Sequence, residues 1–107
     1  MKYEVLLTRD AEEDVFEIYD YVARNDSVGK ADYLFQKVKE TCLSPENYPG
    51  RGHTPPEFER INVREYLEVH FKPYRIIYQI REKKVFVHCV LDGRRNLQDL
   101  LQKRLLR

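Results

Sequence analysis

Residues 74–96, YRIIYQIREKKVFVHCVLDGRRN, are apolar enough to form strands, yet they carry Arg75, Gln79 and His88 and end on Gly93-Arg94-Arg95. Two guanidiniums beside a glycine suit a carboxylate or phosphate on a partner, because each presents a planar fork of donors. Arg95 is the first candidate for a target contact, followed by Arg75, with Arg94 beside them. Proton transfer also has candidates in His70, His88, Glu68 and the loop acid Glu57. If the chain turns at Lys72-Pro73, His70 lies opposite Arg75, and the two can share one anion. Each residue has a plain structural alternative. His70 and His88 can be ordinary cross-strand partners, His53 a solvated loop residue, and Arg75 a partner of Glu68 or Asp92. Arg94 and Arg95 can be exposed charges at a strand end.

The elements that must position these residues follow from periodicity. KYEVLLT reads as a short strand, and Thr8 suits the N-cap of a helix whose first turn holds Asp10, Glu12 and Glu13. Ala11, Val15, Ile18, Tyr19 and Val22 recur at helical spacing. Ser27 can cap a second helix with its own stripe of Ala31, Leu34, Phe35, Val38 and Cys42, closing near Leu43 before Ser44-Pro45. Together they predict an αα-hairpin. Four prolines and two glycines between Pro45 and Arg60 forbid a regular helix or central strand and predict a long loop.

Beyond it, Leu67, Val69 and Phe71 alternate with Tyr66, Glu68 and His70. Tyr74, Ile76, Tyr78 and Ile80 alternate with Arg75, Ile77, Gln79 and Arg81, and Val85, Val87, Cys89 and Leu91 with Phe86, His88, Val90 and Asp92. This predicts an antiparallel meander. Asn96 can cap a last helix with Leu97, Leu100, Leu101 and Leu105 on one stripe and Lys103, Arg104 and Arg107 at its C-terminal end. The fold class is therefore α+β in the order β-α-α-β-β-β-α. The first strand cannot form a hairpin with the second, because two helices and a loop intervene, so it joins the meander in parallel. The helical hairpin covers one face. The other, with Tyr66, Glu68, His70, Arg75, Gln79 and His88, has less of its own chain to cover it and is expected to receive a partner.

At 107 residues and 13.0 kDa, one domain spanning 1–107 is expected, and with 35% of all residues charged the core should be thin under a heavily charged surface. Net charge is only +1, but residues 1–45 hold 6 Lys/Arg against 10 Asp/Glu and residues 46–107 hold 13 against 8. The basic half can face nucleic acid, an acidic partner or its own acidic helices. Cys42 and Cys89 fall on predicted apolar faces, which suits buried thiols in a reducing interior rather than a disulfide. No basic-apolar leader or membrane-length run exists, so a cytoplasmic location is expected. No metal or other cofactor is expected.

The stretches GHTPPEFERI, REYLEVHFKPYRIIYQI and VFVHCVLDGRRNLQDLLQKRLL, following a strand and a helical hairpin, resemble the RelE/ParE family of type II toxin-antitoxin toxins, and its ParE, plasmid-stabilisation branch in particular. The resemblance implies a toxin that arrests growth unless neutralised by a cognate antitoxin. Such an antitoxin would fold on binding over the mixed sheet face and the stripe of Leu97, Leu100, Leu101 and Arg104. ParE-type members act on DNA gyrase, whereas RelE-type members cut messenger RNA on the ribosome.

Arg75 and Arg95 match positions of phosphate-contacting arginines in the cleaving branch. That branch, however, carries lysines at the positions of Tyr66 and Glu68 and a tyrosine at that of Leu101. Glu68 would repel a phosphate and Leu101 cannot donate a proton, so a gyrase-directed poison is favoured over an enzyme. The enzymatic alternative is a metal-independent endoribonuclease using Glu57, His70, His88, Arg75 and Arg95. A third reading is a non-catalytic protein- or RNA-binding module. LDGRR, with Asp92, also departs from ParE-like chains, where a histidine often precedes the arginine.

Overall fold

The computed structural model describes residues 2–46, 49–94 and 97–106. Strand β1 (Glu4–Leu7) leads into helices α1 (Arg9–Asn25) and α2 (Val28–Leu43). The proline-rich segment then makes 3-10 turns at Ser44–Glu46 and Pro49–Arg51 and a single α-turn, α3 (Pro56–Glu59). Strands β2 (Leu67–Phe71), β3 (Tyr74–Arg81) and β4 (Lys84–Asp92) and helix α4 (Gln98–Leu105) complete the chain. The expected order holds, with the short α3 added.

Local chemistry accounts for the helix starts. The Thr8 side chain accepts from the Ala11 N–H at 3.2 Å and that of Ser27 from the Lys30 N–H at 3.1 Å, satisfying donors that a first turn leaves unpaired. α3 begins on a proline, whose missing N–H costs nothing in a first turn. The expected Asn96 cap lies outside the described residues, as does Arg107.

The sheet order is β1-β4-β3-β2, antiparallel through the meander, with β1 parallel to β4. Against one face, α1 and α2 bury Ala11, Val38, Cys42, Ile76, Tyr78, Val85, Val87 and Val90. Each large side chain removed from water there contributes about 1.5–3 kcal/mol.

Two expectations fail. Alternation does not persist along β4: Tyr78 pairs with Val87 but Ile77 pairs with Cys89, so His88 is an extra residue in a β-bulge. The phase therefore shifts, and Val90 joins Val85 and Val87 in the first core while Cys89 and Leu91 belong to a second. Nor is the second face open. Phe58, Tyr66, Ile77, Cys89, Leu91, Leu97 and Leu101 form a buried cluster there, because α3 and α4 fold back over the sheet.

The bulge is secured by side chains. β1 pairs only with Lys84–Val87, so His88–Asp92 have no strand on that side. Asp14 of α1 accepts from the Val90 N–H at 3.0 Å, and Arg104 of α4 donates to the His88 carbonyl at 2.9 Å. Arg104 also pairs with Asp14 at 3.0 Å, joining α1, β4 and α4. Among the described residues, no helix is long and apolar enough to cross a membrane.

Asp14→Ala leaves both the Val90 N–H and the Arg104 guanidinium short of a partner, and should lower unfolding stability by about 2–4 kcal/mol. Asp14→Asn, which retains an acceptor for Val90, should lose less; urea titration of the three proteins checks the ranking.

Candidate functional site

Alternation along β2 puts Glu68 and His70 on the same face, and the antiparallel register sets His70 opposite Arg75 on β3. The anion that Arg75 and His70 share is the protein's own. Glu68 accepts from Arg75 Nε at 2.7 Å and Nη2 at 3.1 Å, and its Oε2 lies 3.3 Å from His70 Nε2. From the opposite side, Glu57 of α3 grips Arg75 in a fork, with both Nη–Oε distances at 2.7 Å. The guanidinium is therefore held charged, well above its ordinary range, chiefly by Glu57. The Glu57 carboxyl is lowered, first by its hydrogen bond from Arg75.

His53 completes the cluster. Its backbone pairs with Glu68 in both directions (N–H to carbonyl at 3.1 and 2.8 Å), which places its Nε2 at 3.1 Å from Glu68 Oε1. Gly52 is required for this approach, since a Cβ there would lie 2.7 Å from the Glu68 carbonyl oxygen and 2.5 Å from the Tyr78 hydroxyl. That hydroxyl accepts from the Gly52 N–H and donates to the Pro49 carbonyl, anchoring the loop. Gly93 has a similar explanation: a Cβ would meet the Arg75 stem at 2.8 Å, so the glycine before the arginine pair makes room for Arg75.

The structure thus brings Arg75, Glu57, Glu68 and His70 together and adds His53, which is solvent-exposed as expected yet also reaches Glu68. No regular spacing links positions 53 and 68; only the loop's backbone bridge does.

The remaining candidates lie in other contact sets. His88, on the bulge, faces Gln79 Oε1 at 3.2 Å and packs edge-on to Tyr66. Burial, and then Arg81 and Arg104, lower its pKa below the ordinary imidazole value. Arg94 is exposed and folds onto Asp92 at 2.7 Å. Arg95 lies outside the described residues. Leu97 and Leu101 are buried in the second core, Leu100 packs against it, and Arg104 is engaged by Asp14 and His88. The expected leucine stripe is therefore largely internal. Cys42 and Cys89 are buried free thiols, one in each core, and burial pushes both up to about 12. Neither is a thiolate nucleophile at neutral pH.

As a chemical unit, Glu57, Glu68 and Arg75 carry one more negative than positive charge. A scissile phosphate entering here would meet a closed guanidinium and surplus carboxylate, the reverse of what phosphoryl-oxygen stabilisation needs.

The mixed sheet, the helical hairpin and the short terminal helix define the RelE/ParE-like toxin fold. Among solved structures, the chain is similar to one from the chromosomal ParDE TA system of P. aeruginosa, at 17% identity and TM-score 0.71, covering 85% of this chain and 96% of that one. It also matches the YoeB dimer from Staphylococcus aureus, at 18% identity and TM-score 0.39, covering 84% and 95%. No curated protein is a significant match. The family profile for the ParE toxin of the type II toxin-antitoxin system, parDE, matches residues 5–97, and the chain belongs to that family.

Because the folded-state pKa of Glu57 lies below its ordinary 4.5, its stabilisation is complete above about pH 4.5 and is lost as pH falls through the lower folded-state value. Glu57→Gln should cost about 1–2 kcal/mol at neutral pH and flatten the acid limb of stability. Denaturant unfolding from pH 7 to pH 3 reads both effects.

Proposed function

We propose that residues 1–107 form one toxin domain that acts in the cytoplasm on DNA gyrase and is neutralised by a cognate antitoxin. The observation that carries this reading is the closed Arg75: Glu57 and Glu68 occupy the guanidinium that RNA cleavage would turn towards a phosphate. A poison that binds its target needs no such phosphate site. The target-facing cations are then Arg94, exposed and paired within its own turn, and Arg95 next to it in the chain. Arg75 acts behind them as a positioning residue.

Membership of a type II toxin family supports an antitoxin partner. The surface that supports its seat is the helical hairpin rather than the buried leucine stripe. Leu7, Val15, Phe16, Tyr19, Phe35 and Leu43 line a groove of about 650 Å³ with Glu12, Asp32 and Lys39 as polar lining. Phe16 is 70% exposed, a large apolar side chain without cover on a small protein. Such a groove suits the apolar face of an amphipathic antitoxin helix. Tyr19 and Phe35 meet edge-on across the two helices, giving the groove an aromatic floor.

Purified protein incubated with gyrase and supercoiled plasmid should yield linear DNA after detergent, and paired Arg94→Ala and Arg95→Ala changes should reduce the yield. Intact plasmid together with cuts in translated messages would instead establish the ribosome-dependent alternative. Phe16→Glu should leave toxicity unchanged but weaken rescue by the product of the neighbouring open reading frame, with antitoxin affinity falling at least about thirtyfold if Phe16 is a central anchor. Unaltered rescue would remove the hairpin groove as the antitoxin seat.

A further inference from the structure

We propose that His53, Glu68 and His70 form a binding site for one divalent first-row transition ion such as zinc(II). The three side chains present one ligand atom each, all within 4.8 Å of one another. His53 Nε2 and His70 Nε2 stand 3.1 and 3.3 Å from the two Glu68 oxygens. Ligand atoms on adjacent corners of a tetrahedral zinc site, with bonds of about 2.0–2.1 Å, are about 3.3 Å apart. The two carboxylate-to-imidazole spacings are close to this value, but each runs to a different Glu68 oxygen, so an ion held by one of those oxygens requires the other imidazole to move towards it. Both imidazoles are at least partly solvent-facing, so small ring rotations can bring their nitrogens onto a shared ion.

Charge favours a cation. The ion-paired groups Glu57, Glu68 and Arg75 formally sum to one negative charge, Glu40 on the cavity wall adds another against Arg60 beside Glu57, and Glu68 is only 1% exposed. Two imidazole lone pairs and a carboxylate form a donor set of intermediate softness, suited to zinc and its first-row neighbours rather than to magnesium or calcium, which take oxygen ligands. Three protein ligands leave a coordination position for water. Space for it exists, since His53, Glu68 and His70 border a cavity of about 350 Å³ walled on the other side by Glu40, Thr41 and Ser44.

The scaffold fixes the ligands as a metal site requires. Glu68 and His70 project from one face of a paired strand, and the two-way backbone bridge between His53 and Glu68 fixes the third ligand's position. Arg75 orients the carboxylate through two hydrogen bonds, an outer-shell role that tunes affinity in known metal sites, and Glu57 in turn holds Arg75. Because His53 comes from the proline-rich loop and the other two ligands from β2, a bound ion ties that loop to the sheet.

The test uses tag-free, chelator-stripped full-length protein titrated calorimetrically with zinc chloride, with cobalt(II) as a spectroscopic probe. The expected result is one zinc per chain, with His53→Ala and His70→Ala each weakening affinity at least about tenfold. Zinc should raise the melting temperature of the native protein but not that of the double variant. Cobalt(II) should give the intense visible bands of a four- or five-coordinate site. Glu68→Gln also deprives Arg75 of a partner, so the two histidines are the decisive variants, and circular dichroism of their metal-free forms confirms folding. Absence of zinc binding, unchanged affinity in both single-histidine variants, or a six-coordinate aqua spectrum for cobalt would overturn the proposal and leave the cluster as an ion-paired loop anchor.

Discussion

An arginine side chain that starts from the middle strand of a meander and stays under the protein's own cover has to find carboxylates, because an unpaired guanidinium away from water is far too costly to bury. Arg75 meets that constraint twice, with Glu68 from the neighbouring strand and Glu57 from the proline-rich segment. Much of the surrounding architecture follows. Gly93 lacks a Cβ because the Arg75 stem passes there. α3 sits where its glutamate can reach, and Phe58 beside that glutamate plugs the second core. The loop before α3 is pinned through Gly52, Tyr78 and the His53–Glu68 bridge.

The polarity of this network bears on function more than the fold does, since one fold can host both a nuclease and a poison that only binds. With Glu57 and Glu68 facing Arg75, the β2–β3 side of the sheet carries surplus carboxylate, which disfavours a phosphate there. The function proposed above places contact with macromolecules at the periphery instead, at the exposed Arg94 turn and the aromatic groove of the hairpin. These surfaces belong to different elements, so one can contact a target while the other receives a neutralising partner.

The caps at Thr8 and Ser27, most of the two helical stripes, the three meander strands and the parallel attachment of β1 were legible, because each follows from spacing within one segment or from the geometry of chain reversal; Phe35, expected on the α2 stripe, is instead 43% exposed. The bulge at His88 was not. Period-two alternation carries no mark of an added residue, and what stabilises it, Asp14 and Arg104, lies far away in sequence. The cover over the second sheet face was missed for a related reason: the leucines of α4 show an apolar stripe, but an amphipathic helix does not state whether its own sheet or a partner will receive it. In the candidate site, the proximity of His70 and Arg75 followed from hairpin register, and Glu68 was among the named partners. The Glu57 fork and the approach of His53 depend on how a proline-rich loop folds, which periodicity does not encode.

Nuclear magnetic resonance of the arginine side chains tests the closed guanidinium most directly. If Arg75 is held between Glu57 and Glu68, its Nε–H signal should exchange slowly with water at neutral pH and stay unmoved as inorganic phosphate or a short RNA is added, while the Arg94 signal exchanges quickly. A fast-exchanging Arg75 signal that shifts with either additive would contradict the account.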